Sequence, residues 1–140
     1  MRVLALDPGS KRIGIAISDE LRMLAQPVGY LEAEPFPRFL DELRETIRLR
    51  EVSLLLVGLP RNMDGSYGPA ALRVQEFVAV LRNALTIPVQ TWDERLTSVE
   101  AQRLLRQGGT RSRQQRTKVD AAAAAVLLQS YLDAQQSGSG

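Results

Sequence analysis

Four carboxylates stand where the chain passes from one element to the next: Asp7, the neighbours Asp93 and Glu94, and Asp120. Asp7 ends the apolar run Val3-Leu4-Ala5-Leu6 and opens the turn Asp7-Pro8-Gly9-Ser10. Asp93 and Glu94 follow the short run from Pro88 to Trp92, and Asp120 starts the last helical stretch. The chain has no histidine and no cysteine. Serine-histidine catalysis, histidine or thiolate metal sites, thiol nucleophiles and disulfides are therefore excluded. What remains is carboxylates, hydroxyls, Lys, Arg and oxygen-ligated metal. Converging carboxylates without histidine suit a hard cation, Mg2+ or Mn2+. Glycines beside Asp7 would let a backbone or a phosphate come close. Each acid also has a structural role open to it. Asp7 can close an Asx turn, Asp93 can cap or turn, and Asp120 lies three residues after Thr117 at capping-box spacing.

The cations are unevenly placed. Between Arg95 and Lys118 seven basic residues (Arg95, Arg103, Arg106, Arg111, Arg113, Arg116, Lys118) face one acid, Glu100, a local charge of +6. The whole chain carries +2, so the remainder sums to −4. Such a split predicts a cationic surface facing a polyanion, and sixteen Arg against two Lys suits phosphate recognition by planar guanidinium forks. Lys11 and Arg12 follow Asp7 closely enough to steady a phosphate, and Arg61 stands in a second turn-rich loop.

The elements that must position these groups follow from hydrophobic patterning. The run ending at Leu6 and the run Ile13 to Ile17 predict two strands joined by a turn. Met23 to Glu32, interrupted by Pro27 and Gly29, predicts a third, edge strand. Phe36, Phe39, Leu40, Leu43 and Ile47 predict an amphipathic helix over 37–50, and Ser53 to Leu59 a buried strand. A loop over 61–68 leads to Pro69, the expected first residue of a helix reaching about Asn83. Pro88 to Trp92 predicts the fifth strand and Val99 to Gln107 a helix, with Thr97 and Glu100 at capping-box spacing. An Arg- and Gln-rich loop follows Gly108-Gly109, and the last helix is expected from Thr117 or Lys118 to about Asp133. The fold class is α/β: a mixed five-stranded sheet, three leading antiparallel strands and two following strands, with helices on both faces. At 140 residues, 44% hydrophobic and 24% charged, residues 1–134 are expected to form one domain and 135–140 a disordered tail. No run of eighteen apolar residues and no secretory leader are present, so the expected setting is the cytoplasm without a membrane partner.

Four segments together carry a resemblance: Ala5-Leu6-Asp7-Pro8-Gly9 with Gly14-Ile15-Ala16; Val57-Gly58-Leu59-Pro60 with Asn62-Met63-Asp64-Gly65; Asp93-Glu94-Arg95-Leu96-Thr97-Ser98; and Val119-Asp120-Ala121-Ala122-Ala123-Ala124. In this order, across nearly the whole chain, they resemble the YqgF/RuvX family of RuvC-like nucleases. The resemblance implies a ribonuclease H-like fold and a metal-dependent acidic site. It also implies a role in maturing the end of small-subunit ribosomal RNA or in cutting four-way (Holliday) DNA junctions. Asp7 matches the first-strand acid of such nucleases and Asp120 the last-helix acid. Where RuvC proper has a glutamate at the end of its fourth strand, this chain has Leu59-Pro60, and Asp93-Glu94 are the natural substitutes.

The leading expectation is phosphodiester hydrolysis with Mg2+ or Mn2+ held by Asp7, Glu94 and Asp120, Asp93 being the alternate to Glu94. Strand alternation allows only one of the neighbours to face Asp7. The longer reach of Glu94 and the turn-forming habit of Asp favour Glu94. Thr97 and Ser98 could offer backbone N–H groups to a phosphate, although capping is the simpler role. Two other classes compete. An actin-like ATPase would hold phosphates on a similar hairpin but needs a second related domain, and no internal repeat is present. A non-catalytic RNA- or ribosome-binding protein could keep the same fold and basic surface, as monomer or homodimer.

Overall fold

Short, nearly continuous apolar runs make the central strands, and turn residues end each of them. In the computed structural model β1 (Arg2–Pro8), β2 (Arg12–Ser18) and β3 (Ala25–Glu32) are followed by α1 (Phe36–Leu49), β4 (Val52–Leu59), α2 (Pro69–Ala84), β5 (Val89–Asp93) and α3 (Arg113–Gly138). The structure describes residues 1–9, 11–60, 64, 66–93 and 113–138; for 113–120 and 137–138 it describes the backbone alone. The sheet order is β3-β2-β1-β4-β5. β1 pairs antiparallel with β2, and β2 with β3, while β4 runs parallel to β1 and β5 parallel to β4. This is the mixed sheet that the sequence predicts.

Alternation along the strands sorts side chains into two cores. Leu4, Leu6, Ile13, Ile15, Ile17, Leu55 and Val57 face α1 and α2, where Phe39, Leu43, Val74, Val78 and Leu81 meet them. Val3, Ala5, Ala16 and Leu56 face α3, which buries Ala124, Leu127, Leu128, Tyr131 and Leu132. Small side chains on both sides of this second interface let α3 lie close to the sheet. Prolines open the first two helices: Pro37 lies in the first turn of α1, and Pro69 starts α2 behind the extended Gly68.

The third strand begins at Ala25 rather than Met23. The Asp19 carboxylate accepts hydrogen bonds from the backbone N–H of Met23 (2.7 Å) and Leu24 (3.1 Å), which holds residues 19–24 in a turn. The Leu24 and Met23 N–H groups also hold the Asp19 carboxyl below its ordinary value. A depressed folded-state pKa means that the contribution of this turn is complete above the unfolded value and is lost as pH falls through the folded one. Asp19→Asn is accordingly expected to make melting temperature less sensitive to pH on the acid side, checked by thermal melts from pH 6 to about 2.5. β3 is an edge strand, as expected. Pro27, which has no N–H to offer, pairs with Ala16 just after the β2–β3 register shifts.

The last helix corrects two expectations. It starts at Arg113, so the Arg- and Gln-rich stretch is helical from there rather than a loop up to Thr117. It also continues to Gly138 instead of giving way to a disordered tail at 135. Gln114, Gln115 and Arg116 at one end and Ala134, Gln135 and Gln136 at the other are good helix formers. The Gln136 amide also reaches the carbonyl of Arg22 (3.5 Å). The expected helix over Val99–Gln107 and the loop residues Arg61, Asn62 and Met63 lie outside the described residues. Among the described residues no helix is long and apolar enough to cross a membrane.

Candidate acidic site

β1, β4 and β5 run parallel, so their C-terminal ends reach the same edge of the sheet, and Asp7 and Asp93 stand there. Asp7 is half-buried and pairs with Gly14 of β2. On β4, Leu6 pairs with Val57, so continuing the register by one residue puts Asp7 beside Gly58, and Gly58 pairs with Trp92. A single row, Gly14-Asp7-Gly58-Trp92, therefore crosses the sheet. By strand alternation all four positions belong to the face that Val3, Ala5, Ala16 and Leu56 turn toward α3. Asp7 is thus flanked on both sides by positions without a Cβ, which lets neighbouring groups approach its carboxylate closely. With no histidine or cysteine in the chain, a carboxylate donor here suits Mg2+ or Mn2+ in its chemistry.

The turn after Asp7 is equally tight. A Cβ on Gly9 would come within 2.5 Å of the Arg12 carbonyl oxygen, so only glycine fits where the two strands turn back on each other. This closeness brings Lys11 and Arg12 to the same edge as Asp7. The Lys11 carbonyl accepts the Ala33 N–H (2.9 Å), and the Arg12 guanidinium lies 5.4 Å from the centre of the Tyr30 ring.

Asp93 reaches the right edge but belongs to the other face. Val89 packs in the α1/α2 core and Trp92 against the α3-side core, so alternation places position 93 with Val89 and away from the face of Asp7. Glu94 lies outside the described residues. Asp120 lies in α3 immediately before the buried Ala121, and only its backbone is described. Among the described residues no three acids come together as a metal site. Of the cations expected to meet nucleic acid, Arg61, Arg95, Arg103, Arg106 and Arg111 lie outside the described residues, while Arg113, Arg116 and Lys118 lie in the first turns of α3.

Two contributors escaped sequence reasoning. Gly58 looked like one residue of an apolar strand, and only the register shows that it adjoins Asp7. Trp92 looked like a strand residue at no special position, yet its indole N–H donates to Ser130 Oγ (3.3 Å) and its ring packs edge-on to Tyr131, with centroids 5.2 Å apart. On the opposite face of the same edge a cleft of about 710 Å³ opens beside Pro8, Gly9 and Pro60, floored by Phe36, Val74 and Phe77.

Comparison with known proteins identifies the family. The family described as "RuvX: Holliday junction resolvase" matches residues 1–134. This chain belongs to it. A protein of Caldanaerobacter subterraneus subsp. tengcongensis named "Putative pre-16S rRNA nuclease" is 45% identical over 137 residues, 97% of this chain and 99% of the relative. A Roseiflexus protein of the same name is 44% identical over 135 residues, 96% of each chain. Among solved structures, Thermus thermophilus RuvC in complex with a Holliday junction substrate superimposes with a TM-score of 0.58 at 15% identity, over 98% of this chain and 96% of that one. The fowlpox virus resolvase with Holliday junction DNA gives 0.52 at 11% identity, over 96% and 99%. At such identities the structures establish the fold, the ribonuclease H-like α/β architecture of RuvC, and the family match makes this RuvX-family chain a nuclease of structured nucleic acid.

Proposed function

We propose that this RuvX-family nuclease hydrolyses phosphodiester bonds in the small-subunit ribosomal RNA precursor, in the cytoplasm, with Asp7, Glu94 and Asp120 holding Mg2+ or Mn2+. The observation that carries the site is the glycine-flanked Asp7 on the face that α3 covers. Two placements support its partners. Asp93 is turned to the other face, which leaves Glu94 as the acid of that pair that alternation would return to the side of Asp7. Asp120 precedes Ala124 by four residues and Leu127 by seven, so helical spacing puts position 120 on the sheet-facing stripe of α3. The direction of α3 agrees. The Gln129 side chain accepts the Ala25 N–H (2.9 Å) and Ala25 pairs with Ser18, whose hydroxyl accepts the Val3 N–H (2.8 Å). Position 129 thus lies near the Val3 row, and 120 is about 13 Å back along the helix. Asp7 is also about 13 Å beyond Val3 along its strand.

A divalent ion bound there would polarise the phosphoryl group, lower the pKa of water and stabilise the leaving oxygen. The protein's own contribution is position. Asp7 is held by strand pairing with Gly14 of β2, Lys11 and Arg12 meet the phosphate from the turn, and Arg113, Arg116 and Lys118 extend α3 with cations that track the backbone without reading bases. The RNA reading rests on relatives that share more than 40% identity and carry the ribosomal RNA name. Four-way junctions are the second reading, favoured by the family's description.

Labelled precursor RNA, a four-way DNA junction and linear duplex should be compared with Mg2+, with Mn2+ and with chelator. Cleavage of the precursor with either ion, and none with chelator, is the expected result; metal-independent cleavage or none of any substrate would overturn the proposal. Replacing Arg111, Arg113 and Arg116 together should weaken binding alike across sequences. For every phosphate that the variant no longer neutralises, the log-log salt slope should fall by about 0.7 on single strands or about 0.9 on duplex. An unchanged slope would move the footprint elsewhere.

A further inference from the structure

The row that crosses the sheet through Asp7 continues past Gly14, which pairs in turn with Tyr30 of β3. Tyr30 and Asp7 share a face. Leu31 and Ile13, each adjacent in sequence to one member of the Tyr30–Gly14 pair, are themselves paired and pack in the α1/α2 core, so alternation turns Tyr30 and Gly14 to the side of Asp7. Two strand spacings separate the tyrosine from the aspartate by about 10 Å, and Gly14 has no side chain to stand between them. Trp92, at the far end of the row, packs against the core under α3. Tyr30, among the described residues, belongs to neither core and stays half-buried on the edge strand. The Arg12 guanidinium lies 5.4 Å from the centre of its ring, and Lys11 precedes Arg12 in the turn.

We propose that Tyr30 and Arg12 form a subsite for an unpaired nucleotide of the RNA substrate, next to the phosphate that is cut at Asp7: the ring stacks on the base and the guanidinium meets the phosphate. The inference rests on the nuclease reading of the Asp7 edge. An aromatic ring standing on a sheet surface is the platform on which proteins stack the bases of single strands, and a guanidinium beside it adds both charge and a second flat surface. Every base has a π-face, so such a platform accepts any sequence. It does not accept a duplex equally, because a paired base keeps its faces stacked on its neighbours. The subsite therefore selects single-stranded character on the β3 side of the cut, a preference that phosphate contacts alone would not impose.

The test is binding by fluorescence anisotropy, with chelator present so that no strand is cut, alongside thermal melting of each variant. The probes are a short labelled uridine RNA, the same RNA paired with its complement, and a backbone of equal length without bases. Tyr30→Leu should weaken binding of the single strand about tenfold and leave the duplex and the base-free backbone unchanged, and Tyr30→Phe should bind as the unaltered protein does. Stacking is not ionic, so the log-log salt slope on the single strand should stay the same in Tyr30→Leu and fall by about 0.7 in Arg12→Gln. Equal weakening on all three probes, or the same fall in slope in both variants, would make Tyr30 a mere support for Arg12 and overturn the inference alone. Should Tyr30→Leu fail to fold, irradiating the unaltered protein with RNA that carries 5-iodouridine decides the matter: a crosslink to Tyr30 is expected, and crosslinks confined to other residues would overturn the inference. No binding of any probe, together with no cleavage once Mg2+ or Mn2+ is restored, would overturn the nuclease reading and this subsite with it.

Discussion

Asp7→Asn should lower cleavage at least about a thousandfold while the protein melts normally and still binds nucleic acid. The side chains are nearly the same size, and the strand around position 7 keeps its pairing with Gly14 in either case, so packing has little to lose. What changes is one negative charge, on a carboxylate whose cross-strand neighbours are glycines. A divalent ion's stabilisation of transition-state charge amounts to several kcal/mol, and about 4 kcal/mol corresponds to a thousandfold in rate. Had Asp7 served only its turn, the amide would replace it at a cost of a few tenths of a kcal/mol and cleavage would continue. Single-turnover cleavage and melting on one preparation separate these outcomes. Retained cleavage would remove Asp7 from the chemistry.

Glu94→Gln and Asp93→Asn should part company although the residues are neighbours. Glu94→Gln is expected to be nearly inactive even at high Mn2+. Asp93→Asn should keep most of its activity and lose at most about 1 kcal/mol of stability. The contrast follows from Val89 and Trp92, whose packing on opposite cores shows the two-residue period of β5 holding up to the end of the strand. Were the ligand at 93, its carboxylate would have to cross the sheet to meet Asp7. The reverse pattern would transfer the ligand to Asp93. Equal, mild losses would mean that another acid completes the site.

How far the sequence alone reached is visible in these same residues. The run Val3 to Leu6 and its stop at Asp7-Pro8-Gly9 predicted both a strand and the carboxylate at its end, because buried strands and tight turns have local signatures. The amphipathic spacing of Phe39 and Leu43 marked α1 within a residue or so. Which face held the site was not legible. Both faces of the central strands are apolar, so hydrophobicity along β5 is silent on the side that Asp7 chooses, and only pairing across β1, β4 and β5 reveals it. Gly58 and Trp92 were missed for the same reason: their meaning lies in neighbours on other strands. The extent of α3 was underestimated because polar Gln and Arg at its ends carry helix propensity without an apolar anchor to mark it.

The α3 interface also orders events during synthesis. Val3, Ala5 and Ala16 find their cover in residues 124–132, more than a hundred positions downstream. A chain emerging from the ribosome can close the opening hairpin early, yet one side of its sheet stays bare until the final helix is made. Such distant contacts slow folding, because a long loop must close before any of them is rewarded. For as long as it is uncovered, that apolar face invites association with other incomplete chains. Under the proposed site, the segment that shields the sheet also carries Asp120, so a nascent fragment ending before α3 is expected to be both sticky and inert.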